Sequence, residues 1–298
     1  MNYEGGSKMN IIKNRYGELR SGWVITLIIV LIIVAQGIGS SLVPENGDET
    51  SISLIMLVTL VYGVISIGGG IVLFKLLYKR SLRQIGLITV GLVTDLLHGI
   101  TIGVVSMVLV FSFLLLTGQA TTSLNMEKLI APVLIANLIS VSITAFSEEL
   151  LVRGFMMTAL KTTRNKWVVF LASSIIFSLV HLLNPWATIL SLTNTFLAGL
   201  LFAYMFVKSG KLWLPTGFHL AWNFLQGDVF GMNVSGQAQL SAFSTTMGTN
   251  TLLTGGNAGP EGGLLVTLVL LLGMAYVYYI VKPPSEPHWE IDSDLPLR

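Results

Sequence analysis

The sequence contains no cysteine and few charged residues. Without cysteine, a disulfide framework, a thiolate nucleophile and a cysteine-ligated metal are all excluded. Charged residues make up only 11% of the 298 residues, whereas about a quarter of a typical soluble protein is charged. Hydrophobic residues make up 53% of the chain. The composition therefore predicts a polytopic membrane protein rather than a soluble one.

Long apolar runs recur along the chain. A helix needs roughly 20 apolar residues to cross the hydrocarbon of a bilayer, and most of these runs reach that length. We therefore predict an all-α polytopic membrane protein with about eight transmembrane helices, of which the fifth and seventh are short. The runs cover residues 23–43, 54–78, 96–117, 129–160, 167–183, 186–207, 212–226 and 264–281.

The stretches between the runs complete the predicted organisation. The first run is long enough to span the membrane, so it is interpreted as a retained helix and not as a cleaved signal peptide. The polar stretch before the last run is interpreted as a loop outside the membrane, with no chemistry assigned to it. The predicted units are an N-terminal segment 1–22, helices 23–128 with an interfacial segment 79–98, a core 129–226, an insert 227–263, a last helix 264–281 and a tail 282–298.

Lysine and arginine occur in clusters that fall on one side if eight helices alternate across the membrane. Cytoplasmic loops carry the excess of these residues, so we predict that both termini are cytoplasmic and that the insert is not. Glu45, Asp48, Glu49 and the Glu127–Lys128 pair fall on the opposite side. The basic clusters are 8–20, 75–83, 161–166, 208–211 and Lys282.

Residues 146–154, Phe-Ser-Glu-Glu-Leu-Leu-Val-Arg-Gly, place three ionisable side chains inside a predicted spanning helix. Such groups are costly in hydrocarbon and by default indicate a functional site. Glu149 and Arg153 are four residues apart with the acid first, which predicts an internal ion pair. Glu148 is turned by about 100° from Glu149 around the helix, so it faces a different part of the bundle.

Three further polar residues lie at a similar predicted depth. Counted from the nearest basic cluster, Glu148 and His181 lie roughly 20 Å into the membrane and Asn223 lies roughly 18 Å in. His219 lies roughly 12 Å in and shares a helical face with Asn223, four residues later. Four polar groups from three separate helices are therefore expected to meet in one layer.

A glutamate, two histidines and an asparagine can together hydrolyse an amide. The carboxylate can act as general base toward water, a histidine can hold that water or carry the proton, and a histidine with an amide can stabilise the oxyanion. Alternatively, Glu148, His181 and His219 could bind a zinc ion and leave its fourth position to water. These residue types do not decide between the two arrangements.

Two other interpretations compete with an enzyme. The polar residues could be a structural ion pair and interhelical hydrogen bonds, or they could form the proton relay of a transporter. Against a transporter, the hydropathy shows no inverted repeat and the polar residues all lie in the second half of the chain. Asp95 and His98, three residues apart in the interfacial segment, are interpreted as an interfacial pair at a helix start and not as a site.

The order of these residues resembles a known family. Glu148-Glu149 with Arg153, then Phe177 with His181, then His219 with Asn223 are similar to the motifs of the CPBP family of intramembrane endopeptidases. That family includes type II CAAX prenyl proteases and the bacterial Abi proteins linked to bacteriocin processing and self-immunity. The resemblance covers about 129–225.

The resemblance implies an eight-helix CAAX-protease-like bundle in which 129–226 is the catalytic core. It implies that Glu148 and His181 activate water, that His219 and Asn223 form the oxyanion hole, and that Arg153 holds Glu149. Phe177 is assigned a supporting role. The resemblance further implies that the active site lies within the membrane and opens to the cytoplasm and to lipid.

The prediction is therefore a multi-pass intramembrane endopeptidase of a prokaryotic plasma membrane, cleaving near the cytoplasmic face. Its expected partners are the lipid bilayer and a membrane-associated or lipidated protein or peptide precursor, and no nucleic acid. No cofactor is assigned with certainty, and zinc stays open as an alternative. The other functions left open are a non-catalytic immunity or regulatory protein with the same fold and, third, a proton-coupled transporter.

Overall fold

The computed structural model describes residues 11–14, 17–42, 52–125, 130–238 and 240–283. Lys8, Arg15, the acidic residues 45–49, the Glu127–Lys128 pair and residues 284–298 of the predicted tail lie outside these ranges. The helices of the described chain are α1 (Ser21–Ser41), α2 (Ile52–Gly63), α3 (Gly69–Tyr78), α4 (Leu92–Leu116), α5 (Ile130–Glu149), α6 (Met157–Leu160), α7 (Lys166–Val180), α8 (Ile189–Ser209), α9 (Trp213–Asn223), α10 (Thr251–Thr254) and α11 (Leu264–Tyr279).

Three π-helical stretches continue these helices without a break. Val64–Gly68 joins α2 to α3, Leu150–Met156 joins α5 to α6, and Phe224–Val229 extends α9. The joined elements are long apolar helices, as the hydrophobic runs predict. Six helical segments of the described chain are long and apolar enough to span a membrane: Ser21–Ser41, Ile52–Tyr78, Leu92–Leu116, Ala131–Thr163, Lys166–Leu183 and Ile189–Ser209.

The predicted class of helical, polytopic membrane protein is confirmed. The remaining two predicted runs are helical as well, but α9 and α11 are shorter than a full span. The number of transmembrane crossings therefore stays a prediction. The structure adds one small departure from an all-α fold, because strands β1 (Ala120–Leu124) and β2 (Phe243–Met247) pair antiparallel.

The insert 227–263 is folded and not an open loop. Its strand β2 pairs with β1, which follows α4 in the chain. Asn194 in α8 donates from Nδ2 to the backbone oxygens of Glu261 at 2.7 Å and Gly263 at 2.9 Å. Gly236, at φ +79°, packs against the Pro185 carbonyl between α7 and α8. These contacts fix the insert over one end of the helix bundle.

The segment predicted to lie along the interface, 79–98, does not form one interfacial helix. It begins with a short 3₁₀ helix, Leu82–Ile85, and α4 starts already at Leu92. The intervening backbone packs onto the core, because Leu212 N donates to Gly86 O at 3.2 Å and Trp213 Nε1 donates to Ile88 O. Buried apolar side chains and these backbone bonds hold it against α9.

Asp95 and His98 both lie in the first turns of α4, and each has its own partner. Asp95 accepts from Lys211 Nζ at 2.9 Å, and His98 Nε2 lies 3.0 Å from the Tyr276 hydroxyl. The two side chains therefore connect α4 to different neighbours and do not form a joint site, in agreement with the interpretation from the sequence.

Side-chain caps mark the starts of α7 and α8. Asn165 Oδ1 accepts from the backbone N–H groups of Trp167 and Val168 at the start of α7, and Thr188 and Ser191 form a reciprocal capping box at the start of α8. Such caps satisfy the N–H groups that a helix start leaves unpaired. Helix α7 ends at Val180, and His181 follows it in a 3₁₀ turn.

Helices α4 and α9 approach each other through glycines. A Cβ on Gly99 would lie less than 3.0 Å from the Leu214 carbonyl oxygen, and one on Gly217 would lie equally close to the Leu96 carbonyl oxygen. Gly103 makes the same kind of contact with Phe218. Small residues allow close backbone approach between membrane helices. This packing sets the position of α9, which carries His219 and Asn223.

We expect Gly217→Ala to destabilise the protein, because its methyl group would push α9 away from α4. Overpacking of this kind typically costs about 1–3 kcal/mol. The matched control is Gly68→Ala, also in a helical segment, where no atom lies within 4 Å of the added Cβ and where alanine favours the helix. Thermal unfolding of both variants in detergent checks the prediction, and equal midpoints would contradict it.

Candidate active site

A cavity of about 530 Å³ brings the predicted site residues together. Glu148 from α5, His181 from the turn after α7, and His219 and Asn223 from α9 all line it, and so does Phe177. Glu149 and Arg153 are buried behind the residues that line the cavity, and their side chains are 0% and 1% exposed. The structure thus gathers side chains that are up to 75 residues apart in the sequence.

The cavity lies at the end of the bundle that the insert covers. Gln36 and Ser40 line it from the last turns of α1, whereas Val266 lines it from the first turn of α11. The basic clusters 75–83, 161–166 and 208–211 lie at the opposite helix ends. The resemblance implies an active site that opens toward the basic, cytoplasmic side. The residues that line the cavity instead place it toward the opposite helix ends.

Glu149 and Arg153 form the predicted ion pair. Arg153 Nη1 donates to Glu149 Oε1 at 3.0 Å, and Nη2 donates to the backbone oxygen of Gly199 at 3.4 Å. The guanidinium also lies over the rings of Phe177, at 4.2 Å, and Phe202, at 5.0 Å. A buried charge is tolerated only when it is paired and hydrogen-bonded, and this guanidinium has both kinds of partner.

His219 lies between the two glutamates. Its Nδ1 is 3.1 Å from Glu149 Oε1, and its Nε2 is 3.8 Å from Glu148 Oε2. Glu149 Oε1 also accepts from Arg153, and a carboxylate oxygen only accepts, so His219 Nδ1 is the donor in this contact. The Phe202 ring stacks on the imidazole with 5.0 Å between ring centroids. Glu149 therefore orients His219 in addition to pairing with Arg153.

Glu148 is the less constrained of the two carboxylates. Its side chain is 18% exposed, and its Oε2 atom is buried without a hydrogen-bond partner among the described residues. Because Glu148 and Glu149 differ by about 100° around the helix, only Glu148 faces the cavity. Its free oxygen is available to a molecule that enters the cavity.

His181 is held by the backbone of its own helix. Its Nδ1 lies 2.7 Å from the Phe177 carbonyl oxygen. A carbonyl oxygen only accepts, so Nδ1 is the donor in this contact, and Nε2 has no partner among the described residues. The Phe177 ring contacts the imidazole with 4.6 Å between centroids. Phe177 thus supports His181 through its carbonyl and Arg153 through its ring.

Asn223 lies one helical turn beyond His219 and lines the same cavity. Its amide makes no hydrogen bond with any other part of the chain that the structure describes, so both its donors face the cavity contents. The helix changes to π geometry directly after Asn223, and α5 does so directly after Glu149. Short π stretches within α-helices frequently occur at functional sites.

The three residues considered for zinc do not stand together as a preformed ligand set. Within the described ranges, no group of three or more His, Asp or Glu side chains is placed to hold a metal ion. Nδ1 of His219 contacts Glu149, and Nδ1 of His181 contacts a carbonyl oxygen, which leaves Nε2 of each ring free of hydrogen bonds within these ranges, as in histidines that bind metals. Zinc binding by Glu148, His181 and His219 therefore stays a prediction.

Several residues of the cavity were not predicted from the sequence. Tyr62 from α2 lines it and accepts from Ser147 Oγ at 3.3 Å. Ser235 and Glu261 line it from the insert. An aromatic hydroxyl inside an apolar run is a weak signal for Tyr62, whereas a glutamate in a nearly uncharged insert could have drawn attention to Glu261.

Residues 129–225 match a protein-family model described as type II CAAX prenyl endopeptidase Rce1-like. The match covers 97 of the 298 residues, so this part of the chain is similar to the Rce1-like family. The Rce1-like segment contains α5 to α9 and all seven residues predicted from the motifs, so the resemblance to CAAX-type proteases is confirmed. Tyr62, Ser235 and Glu261 lie outside it. No curated protein and no solved structure matches the chain.

Proposed function

We propose that this protein is an intramembrane endopeptidase that hydrolyses a peptide bond of a membrane-associated substrate with water activated by Glu148. The Rce1-like segment supports a protease of the CAAX type at the level of the family. The observation that carries the proposal is Glu148 Oε2, which accepts no hydrogen bond from the described residues and lies in the cavity at 3.8 Å from His219 Nε2. The reaction takes place at the end of the bundle covered by the insert.

Glu148 acts as the general base. It takes a proton from a water molecule, whose oxygen attacks the carbonyl carbon of the substrate; the C–N bond then breaks, and the proton passes to the leaving amine. His181 accepts a hydrogen bond from the same water through the lone pair of Nε2, and this bond orients the oxygen. General bases of this kind contribute about 10²–10⁴-fold to rate.

His219 and Asn223 stabilise the oxyanion. The Asn223 amide donates directly, and His219 donates through Nε2 in its doubly protonated form, while Glu149 holds Nδ1. Donors already fixed in the site lose little freedom when charge develops on the oxygen. Glu149 and Arg153 act indirectly, as residues that position His219.

We expect the activity to persist after treatment with a zinc chelator such as dipicolinate, because in the proposed mechanism Glu148 and His181 activate the water without a metal. The measurement is peptide cleavage by purified protein before and after dialysis against the chelator, together with metal analysis of the same sample. If the chelator abolishes cleavage and added zinc restores it, the metal-free mechanism is contradicted. The assignment as a protease would be unaffected.

The proposed function is tested by the products of the reaction. Membranes containing the wild type or Glu148→Gln are incubated in water enriched in the heavy oxygen isotope, and new peptide termini are identified by mass spectrometry. Hydrolysis places one heavy oxygen in each new carboxyl group, and only in the wild-type sample. If no termini depend on Glu148, the non-catalytic regulatory alternative replaces the endopeptidase.

A further inference from the structure

A second carboxylate faces the cavity from the insert. Glu261 lies in the 3₁₀ helix Pro260–Gly262, and its Oε2 accepts from Ser235 N at 2.9 Å and Ser235 Oγ at 3.2 Å. Its backbone oxygen is held by Asn194 Nδ2 at 2.7 Å. Both ends of the residue are therefore fixed, and the carboxylate is presented to the cavity from a defined position.

The lining of the cavity is acidic. Glu148 and Glu261 are its carboxylates, and no lysine or arginine lines it among the described residues. Even with His219 in the lining doubly protonated, the two carboxylates outnumber the cations. Glu149 does not add to this charge, because Arg153 pairs with it. Walls of one charge sign and low dielectric concentrate ligands of the opposite sign. The cavity is therefore suited to a cationic ligand.

Glu261 forms no ion pair with a lysine or arginine within the part of the chain that the structure describes. Burial raises the pKa of its carboxyl group, and the hydrogen bonds from Ser235 and the nearby His181 only oppose this rise. A buried carboxylate without a counterion is unfavourable. A cation that enters with the substrate would supply the missing partner, and the two donors of Ser235 would still hold the carboxylate in place.

We propose that Glu261 binds a cationic group of the substrate, the ammonium or guanidinium of a basic residue close to the scissile bond, and so selects basic peptides. The inference rests on the endopeptidase function, because it assigns the substrate class of the same cavity. Glu261 takes no part in proton transfer. It is a specificity-determining residue, and Glu148 across the cavity remains the base.

The first experiment uses the full-length protein in liposomes and a peptide library whose N-termini are either free or acetylated. Wild-type protein is expected to cleave preferentially where lysine or arginine stands at one fixed position from the scissile bond. Charge-assisted hydrogen bonds support a preference of about 10- to 100-fold in kcat/KM. If the preference disappears when the N-termini are acetylated, the cation is the N-terminal amine and not the side chain of a lysine or arginine. That result would contradict the proposal.

The variant Glu261→Gln keeps an oxygen for Ser235 but removes the charge. It is expected to cleave the library with no preference for basic residues, while cleavage at neutral sites continues. The matched control is Asp228→Asn, a buried acid of the same insert that accepts from Asn137 Nδ2 at 2.7 Å and does not line the cavity. This control should keep the preference for basic residues. An unchanged preference in Glu261→Gln would overturn the proposal.

A second measurement needs no variant. A cleaved peptide with lysine at the selected position is compared with the same peptide carrying norleucine, which has a similar length and no charge. Wild-type protein should show a KM about 10- to 100-fold lower for the lysine peptide. Equal values would overturn the selection of cations while leaving the endopeptidase intact. Absence of any cleavage of the library by the wild type would instead overturn both proposals.

Discussion

Glu148→Gln is expected to reduce peptide hydrolysis by about 10²–10⁴-fold, the contribution of a general base. Glutamine has nearly the same shape as glutamate but cannot take a proton from water. Because Glu148 Oε2 has no hydrogen-bond partner among the described residues, the substitution breaks no contact that holds the fold. The loss should therefore appear in kcat, with the thermal stability unchanged.

The measurement is cleavage of an identified substrate by purified protein at saturating concentration. Asp95→Asn is the matched control, since Asp95 is a partly exposed carboxylate that pairs with Lys211 outside the cavity. A partly exposed ion pair contributes at most about 1 kcal/mol, so this variant should keep its activity. Wild-type rates in Glu148→Gln would show that another group is the base.

Arg153→Met is expected to destabilise the protein by about 3–5 kcal/mol, the cost of breaking a buried ion pair on one side. Methionine fills part of the volume, but Glu149 is left without its cation in a place where its side chain has no exposure to solvent. Contacts of the guanidinium with Phe177 and Phe202 are lost as well. Unfolding of the purified variant in detergent measures the effect.

The double variant Glu149→Leu/Arg153→Met separates stability from catalysis. Removing both charges is often close to neutral for a buried pair, so much of the lost stability should return. Activity should not return, because His219 Nδ1 no longer has the carboxylate that orients it. A double variant with wild-type activity would show that Glu149 serves the fold alone.

The membrane class and the order of the helices could be predicted from the sequence, because apolar runs of spanning length are a strong signal. The ion pair between Glu149 and Arg153 could be predicted as well, since contacts at a spacing of four residues are local to one helix. The contact of Glu149 with His219 could not. Periodicity assigns a side chain to a face of its own helix but does not tell which atoms of another helix it meets.

The contacts of the insert were even harder to predict from the sequence than the contact between Glu149 and His219. Strands β1 and β2 pair residues more than a hundred positions apart, and their sequences, Ala-Thr-Thr-Ser-Leu and Phe-Ser-Thr-Thr-Met, lack a clear alternation of apolar and polar residues. Threonine favours strands, yet such short polar segments resemble a loop. The position of Glu261 depends on contacts with Ser235 and Asn194, which lie 26 and 67 residues away in the sequence, so composition alone did not assign it any chemistry.

Under the proposed function, the position of the cavity at the insert end of the bundle would determine the compartment in which a substrate is cut. Gln36, Ser40 and Val266 place its wall at the helix ends far from the basic loops. With the orientation that the basic residues predict, a polar inhibitor added outside the cell would reach Glu148 without crossing the lipid bilayer, and the cleaved fragment would be released to the exterior rather than to the cytosol.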